Sequence, residues 1–144
     1  MLRTELGGEE MKFFIGQAVT GENIDELRVE LGRVYKVLED KGHSSYDTLR
    51  ENQEKFEGNN TKREIMEHAF RKIDDSDVFF AIIRSDRKSE GLLMEIGYCL
   101  SNNKEILLAV KSDVKNTYLR ELANRVIEYD NSDGLVKQLM EVDL

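Results

Sequence analysis

Asp77 to Val110, DVFFAIIRSDRKSEGLLMEIGYCLSNNKEILLAV, decides the fold. VFFAII is a short apolar run, rich in β-branched and aromatic residues and bounded by charge. That suits a strand covered on both faces, as in a parallel sheet. EILLAV repeats the pattern. Between them, GLLMEIGYCLSNN carries Leu92, Ile96, Cys99 and Leu100 on one helical stripe, and Asn102-Asn103 ends it. The stretch is a βαβ unit, and such units cross over right-handed. Ligands of open α/β sheets bind beyond the carboxyl ends of the strands. The loop Arg84–Glu90 and the start of the helix therefore form a ligand rim. Glu95 falls in the first turn or so of that helix, and its side chain leans back toward the N-terminus. Gly91 reads as letting backbone approach a ligand, and Gly97 as letting the helix lie close on the sheet. The plain alternative for Glu95 is a solvated acid complementing the helix dipole, worth roughly 0.3–1 kcal/mol.

Working outward, MKFFI (Met11–Ile15) reads as a first buried strand, and GQAVTGEN as a glycine turn entering a helix. Gly16 to Gly21 is neither a GxGxxG nor a Lys–Ser/Thr phosphate loop. Tight-turn glycines explain it without a ligand. Glu22 to Lys41 holds helical spacing at Ile24, Leu27, Leu31, Val34 and Leu38, with Gly42 as the stop. HSSYDTL supplies a short second strand that brings Tyr46 and Asp47 to the rim near Gly16. Arg50–Asn60 is polar and reads as a loop or short helix over the site. Thr61 to Asp75 is helical, with Ile65, Met66, Ala69, Phe70 and Ile73 inward and a Thr61/Glu64 capping box. After Val110 come a loop, a short helix, an edge-like strand RVIEYD and a last helix with Leu135, Val136, Leu139 and Met140 apolar. Strict β–α alternation predicts a doubly wound, Rossmann-like α/β fold. We expect five parallel strands in the flavodoxin-like order 2-1-3-4-5, helices on both faces, and a switch point between strands one and three. Residues 1–10 read as a flexible tail and 11–144 as one domain.

The totals narrow the function classes. A chain of 144 residues buries on the order of 70% of its unfolded surface. The formal net charge of −8 argues against a nucleic-acid backbone binder, which needs clustered Lys and Arg. Small anionic ligands stay open, because helix N-termini hold them without net positive charge. The single Cys99 permits no intrachain disulfide and reads as a buried, inert thiol. No membrane span or signal peptide is read, so the cytoplasm is the expected location. The two histidines, His43 and His68, lie on separate elements without zinc-site spacing. His68 reads as helix surface. Asp74, Asp75 and Asp77 read as charges bounding a buried strand rather than as a Mg²⁺ site. No metal or cofactor is expected.

At this point a resemblance enters. GLLMEIGYCLSNNKEILLAV resembles the Gly-x-x-x-Glu-apolar-Gly-Tyr-Ala block of the nucleoside 2-deoxyribosyltransferase superfamily. MKFFIGQAVTGEN is similar to its opening strand and glycine turn, and IMEHAFRKIDDSDVFFAI to its helix entering strand three. One branch comprises the 2′-deoxynucleoside 5′-phosphate N-hydrolases. The resemblance implies chemistry at an N-glycosidic bond of a nucleoside or nucleotide, with Glu95 as nucleophile. It places Gly16, Gln17 and Ala18 on the turn that holds the sugar or 5′ group. Ser89 and Gly91 occupy further binding positions, and Asp47 is a rim candidate. It also implies a homodimer or higher homo-oligomer in which a neighbour completes the site, with Asn116 or Thr117 as the contribution. The physical logic stands without the name. An oxocarbenium-like transition state is stabilised by a fixed carboxylate facing the anomeric carbon, which can then bond to it.

Three positions depart from the pattern. Ala69 stands where the family carries an aspartate, Phe13 where the hydrolase branch has a tyrosine, and Val19 where that branch has an arginine. The first two remove proton donors, whose help is worth about 10²–10⁴-fold. The third weakens the case for a 5′-phosphate. Tyr46, Asp47, Asp86 and Glu90 are the rim groups left to handle a proton. The alternative reading is a nucleotide- or nucleoside-binding module that has lost catalysis.

Overall fold

The computed structural model describes residues 9–50 and 57–144. Most of the expected tail, and most of the expected Arg50–Asn60 loop, lie outside the described residues. The elements are β1 (Lys12–Gln17), α1 (Ile24–Asp40), β2 (Ser44–Tyr46), α2 (Lys62–Asp74), β3 (Val78–Ile83), α3 (Glu90–Ser101), β4 (Glu105–Lys111), α4 (Leu119–Leu122), β5 (Arg125–Tyr129) and α5 (Ser132–Glu141). Residues 57–59 add a helical turn before α2. All strand pairs are parallel, and the order is β2-β1-β3-β4-β5. The expected sheet and its switch point between β1 and β3 are therefore present.

Alternation along the strands divides the core. Phe13, Ile15, Val78, Phe80 and Ile82 face α1 and α5. Phe14, Phe79, Ala81, Leu108 and Val110 face α2, α3 and α4. The strands are apolar on both sides because each side is covered, as parallel sheets require. The helix ends obey local rules. Asn23 caps α1 by accepting from the Glu26 amide, and Thr61 with Glu64 forms the reciprocal capping box of α2. Gly42 takes φ +87° just beyond α1, where a side chain would be strained.

Four details differ from the sequence reading. β1 runs on through Gly16 and Gln17, because both pair with β3 opposite Ala81 and Ile82. Gly97 lies on the exposed side of α3 with open space where a Cβ would be, so it does not bring the helix down onto the sheet. Leu100 is exposed rather than part of the Leu92–Ile96–Cys99 stripe, since eight residues of helix rotate it about 80° from Leu92. Met140 is exposed beside the buried Leu135, Val136 and Leu139 of α5.

Candidate active site

Glu95 stands in the second turn of α3, on the face that looks along the sheet toward α2. Two contacts fix that direction. Gly91, one turn earlier on the same face, lies against α2, where a Cβ built on it would meet the Met66 sulfur at 4.0 Å. Tyr98, three residues later, stacks on Phe70 of α2 with ring centroids 4.3 Å apart. Between these contacts Glu95 is partly buried and makes no hydrogen bond or ion pair with any described residue. Burial alone raises its carboxyl to about pKa 7, since desolvation disfavours the charged form. Burial, and next the Glu95 charge, push the Cys99 thiol up to about 12. Cys99 is fully buried, as the sequence reading expected of an inert thiol.

Ala69, on the same side of α2, is buried in the apolar cluster with Leu92 and Ile96 of α3. It brings no proton to this seam. Its neighbour His68 does carry titratable nitrogens. It is partly buried rather than plain helix surface, and its Nε2 lies 3.2 Å from the Tyr46 hydroxyl. The Tyr46 ring packs on Phe14 of β1, on the face shared with α2 and α3. Spacing brings Tyr46 to the rim but misses its pairing with His68. The residues are 22 apart in sequence, and nothing local links them.

The other predicted residues divide between two faces. Gly16 faces α3, and a Cβ there would meet the Phe79 ring at 2.3 Å, so close packing demands the glycine. Gln17, next in the strand, faces α1, and both of its amide atoms are buried without a hydrogen-bond partner. Val19 turns inward against the α1 core cluster, and Phe13 is buried in it. Ser89 is the N-cap of α3 and accepts from the Leu92 amide at 3.3 Å. Asp47 is fully buried. Its Oδ1 accepts from the Leu49 and Arg50 amides at 2.9 and 3.1 Å, and its Oδ2 accepts from the Tyr35 hydroxyl. Those three donors occupy the carboxylate in anchoring the loop after β2. Asp86 accepts from the Asn116 amide at 3.3 Å, and Lys88 donates to the Asn116 carbonyl, so Asn116 is tied to its own chain's rim. Glu90 is exposed in the first turn of α3. Thr117 accepts from the Leu119 amide at 3.1 Å.

A second buried acid lies on the opposite face. Glu30 of α1 takes two hydrogen bonds from Arg84, at 2.6 and 2.9 Å, and one from the Ser132 hydroxyl. Tyr129 closes this cluster by donating to the Ile83 carbonyl at 3.2 Å. Arg84 was expected only as part of the rim loop. The structure spends it here as an internal clamp.

The family model for nucleoside 2-deoxyribosyltransferase matches residues 24–140. The chain belongs to that family. No curated protein matches the sequence. Solved structures give the same fold at low identity. The CMP N-glycosidase BcmB of Clostridium botulinum superposes with TM-score 0.67 and 18% identity, covering 89% of this chain and 96% of that one. A 2-deoxyribosyltransferase from Bacillus psychrosaccharolyticus gives 0.64 and 18%, covering 92% and 93%. A conserved protein from Enterococcus faecalis V583 gives 0.65 and 11%, covering 90% and 97%. Family membership supports cleavage or transfer at an N-glycosidic bond as the general chemistry. Among the described residues, no helix is long and apolar enough to cross a membrane.

Proposed function

We propose that this protein cleaves or transfers the N-glycosidic bond of a 2′-deoxynucleoside or nucleotide, with Glu95 as the nucleophile. The observation that carries this reading is an unpaired carboxylate in the α2–α3 seam, held there by helix contacts on either side. An acid placed for stability acquires donors. Glu95 has acquired none among the described residues. In the proposed step a Glu95 oxygen bonds to C1′ as the C1′–N bond breaks. The bond pair passes to the departing base, which gains a proton. Water, or the nitrogen of a second base, then displaces the carboxylate from C1′. Two displacements at one carbon retain its configuration.

We assign the proton for the base to Tyr46, backed by His68, in place of the group lost at Ala69. Gly16, Gln17 and Ala18 supply backbone to the sugar side. Ser89 and Gly91 line the start of α3. Asp47 contributes by holding the β2 loop. The ionised carboxylate is the attacking form, so kcat/KM rises with pH up to about 7 and then levels. We place the protein in the cytoplasm as a homo-oligomer. Leu93, Met94 and Leu100, exposed on α3, offer apolar surface to a second copy.

The test is incubation with the common deoxynucleosides and their 5′-monophosphates, reading free base by chromatography. Release by the wild type, and loss of about 10³-fold or more in Glu95→Ala, is the expected result. Equal release from both proteins overturns the assignment of Glu95. A second reading is a binding module without turnover. It is favoured by the burial of Phe13 and Ala69 among apolar side chains, where neither position offers a proton. Under it, nucleosides raise the melting temperature and no base appears.

A further inference from the structure

On either side of Ala69, α2 sends a side chain to the Tyr46 ring of β2. His68 sits at the hydroxyl end, with its Nε2 3.2 Å from the oxygen. Lys72 follows one helical turn later on the same face, and its ammonium nitrogen lies 5.0 Å from the ring centroid. Tyr46 itself is held by the sheet. It stands opposite Phe14 of β1 in the parallel register, and the two ring centroids are 5.5 Å apart. The phenol is thus fixed between a strand and a helix, with a cation over its π-system.

The charged groups around this ring have different engagements. Asp74 accepts from the Tyr98 hydroxyl at 2.7 Å. Asp47, next to Tyr46 in sequence, is occupied by Tyr35 and the amides of Leu49 and Arg50. Arg50 lies over the Tyr35 ring, 3.4 Å from its centroid. Glu95 is the acid of α3 on the same seam. Asp75 stands three residues beyond Lys72, at ion-pair spacing along the helix, yet the lysine lies over Tyr46. A cation is attracted to the face of an aromatic ring. It is attracted more strongly to a phenolate, whose negative charge spreads into that same ring. The ammonium therefore favours the ionised form of Tyr46 and makes its hydroxyl a stronger acid.

We propose that Lys72 is a positioning residue, holding Tyr46 ready as the proton donor to the departing base. The proposal rests on the N-glycosidic reading above and deepens its proton step. As the C1′–N bond breaks, the Tyr46 O–H bond breaks with it. The proton goes to the base nitrogen, and the electron pair stays on the phenolate, where the Lys72 ammonium faces the new charge. The second displacement releases a proton, from water or from the incoming base, and that proton returns to the phenolate. Ala69 lies between His68 and Lys72, so α2 still serves the proton step, through a phenol on β2 in place of a carboxyl of its own.

The test uses Lys72→Met, which keeps an apolar stem against the ring and removes the charge, and Lys72→Arg, which restores a cation over it. Tyr46 ionisation is followed by fluorine NMR in protein labelled with meta-fluorotyrosine, which ionises at a milder pH than tyrosine. The Tyr46 signal is assigned by its loss in Tyr46→Phe. Its midpoint should rise by about one pH unit in Lys72→Met, the effect of one charge removed from a partly wet site, and return in Lys72→Arg. For base release, kcat should fall about threefold to tenfold in Lys72→Met with KM little changed, and Lys72→Arg should recover it. In the Tyr46→Phe background Lys72→Met should add nothing, because the lysine acts through the phenol. A lysine that only packs on the ring would leave the midpoint where it was. An unmoved midpoint in Lys72→Met overturns the proposal, and so does an equal loss of kcat with and without the Tyr46 hydroxyl. The two failures are distinguishable. No base from the wild type overturns the N-glycosidic reading, whereas base released with an unmoved midpoint overturns the role of Lys72 alone.

Discussion

Glu30 is buried and Glu95 partly buried, on opposite faces of one sheet, and they have opposite surroundings. Glu30 is clamped by Arg84 and Ser132, so every oxygen has a donor. Glu95 has no described donor, and burial lifts its pKa to about 7. A paired acid costs little to keep charged. An unpaired one is held at an energetic disadvantage that a cationic transition state can relieve. The difference separates an acid that holds the fold from one left without a described partner, and each prediction below can break it.

The largest expected effect is on the clamp. Arg84→Ala leaves Glu30 buried without its cation and should cost about 3–5 kcal/mol in denaturant unfolding. Replacing Arg84 and Glu30 together by methionine should return most of that loss, because the penalty lies in the orphaned charge. A loss under about 1 kcal/mol for Arg84→Ala would show that Glu30 is not held by this pair.

Glu95→Gln should act in the other direction. The native carboxyl keeps its proton up to about pH 7, whereas the unfolded chain loses it near 4.5. Between those values the native state binds more protons, so stability falls as pH rises and the cost is complete above about 7. Removing the charge should therefore stabilise the protein by about 1–3 kcal/mol at pH 8. The gain should vanish toward pH 4.5. Thermal unfolding of both proteins across that range checks the sign. A stabilisation independent of pH would mean that Glu95 is not the source.

Tyr35→Phe has the smallest effect and decides to which kind Asp47 belongs. Loss of the hydroxyl removes the donor to Asp47 Oδ2 and should cost about 1–2 kcal/mol. If stability holds and KM rises instead, Asp47 faces substrate rather than anchoring its loop.

The parts that sequence made legible are those governed by local periodicity. Two apolar runs around an amphipathic helix give the parallel sheet. Thr61 and Glu64 give the start of α2 through a box closed within one turn. The Gly91-to-Tyr98 block marks Glu95 as a candidate. Groups joined across the chain were not. The bond between Tyr46 and His68, and the reach of Arg87 to Thr20, span 22 and 67 residues. No periodicity reports such distances. Gly97 was misread because a glycine beside a catalytic candidate has the same letter whether it packs or faces solvent.

The chain by itself therefore determined the architecture, since alternating hydrophobic periods leave few ways to bury two faces of one sheet. Tertiary structure decided which charges are spent and which are left over. Arg84 turns inward to Glu30, Lys72 lies over the Tyr46 ring, and Glu95 is left without a described partner. That outcome depends on the meeting of loops distant in sequence, and hydrogen bonds act only over a few ångströms.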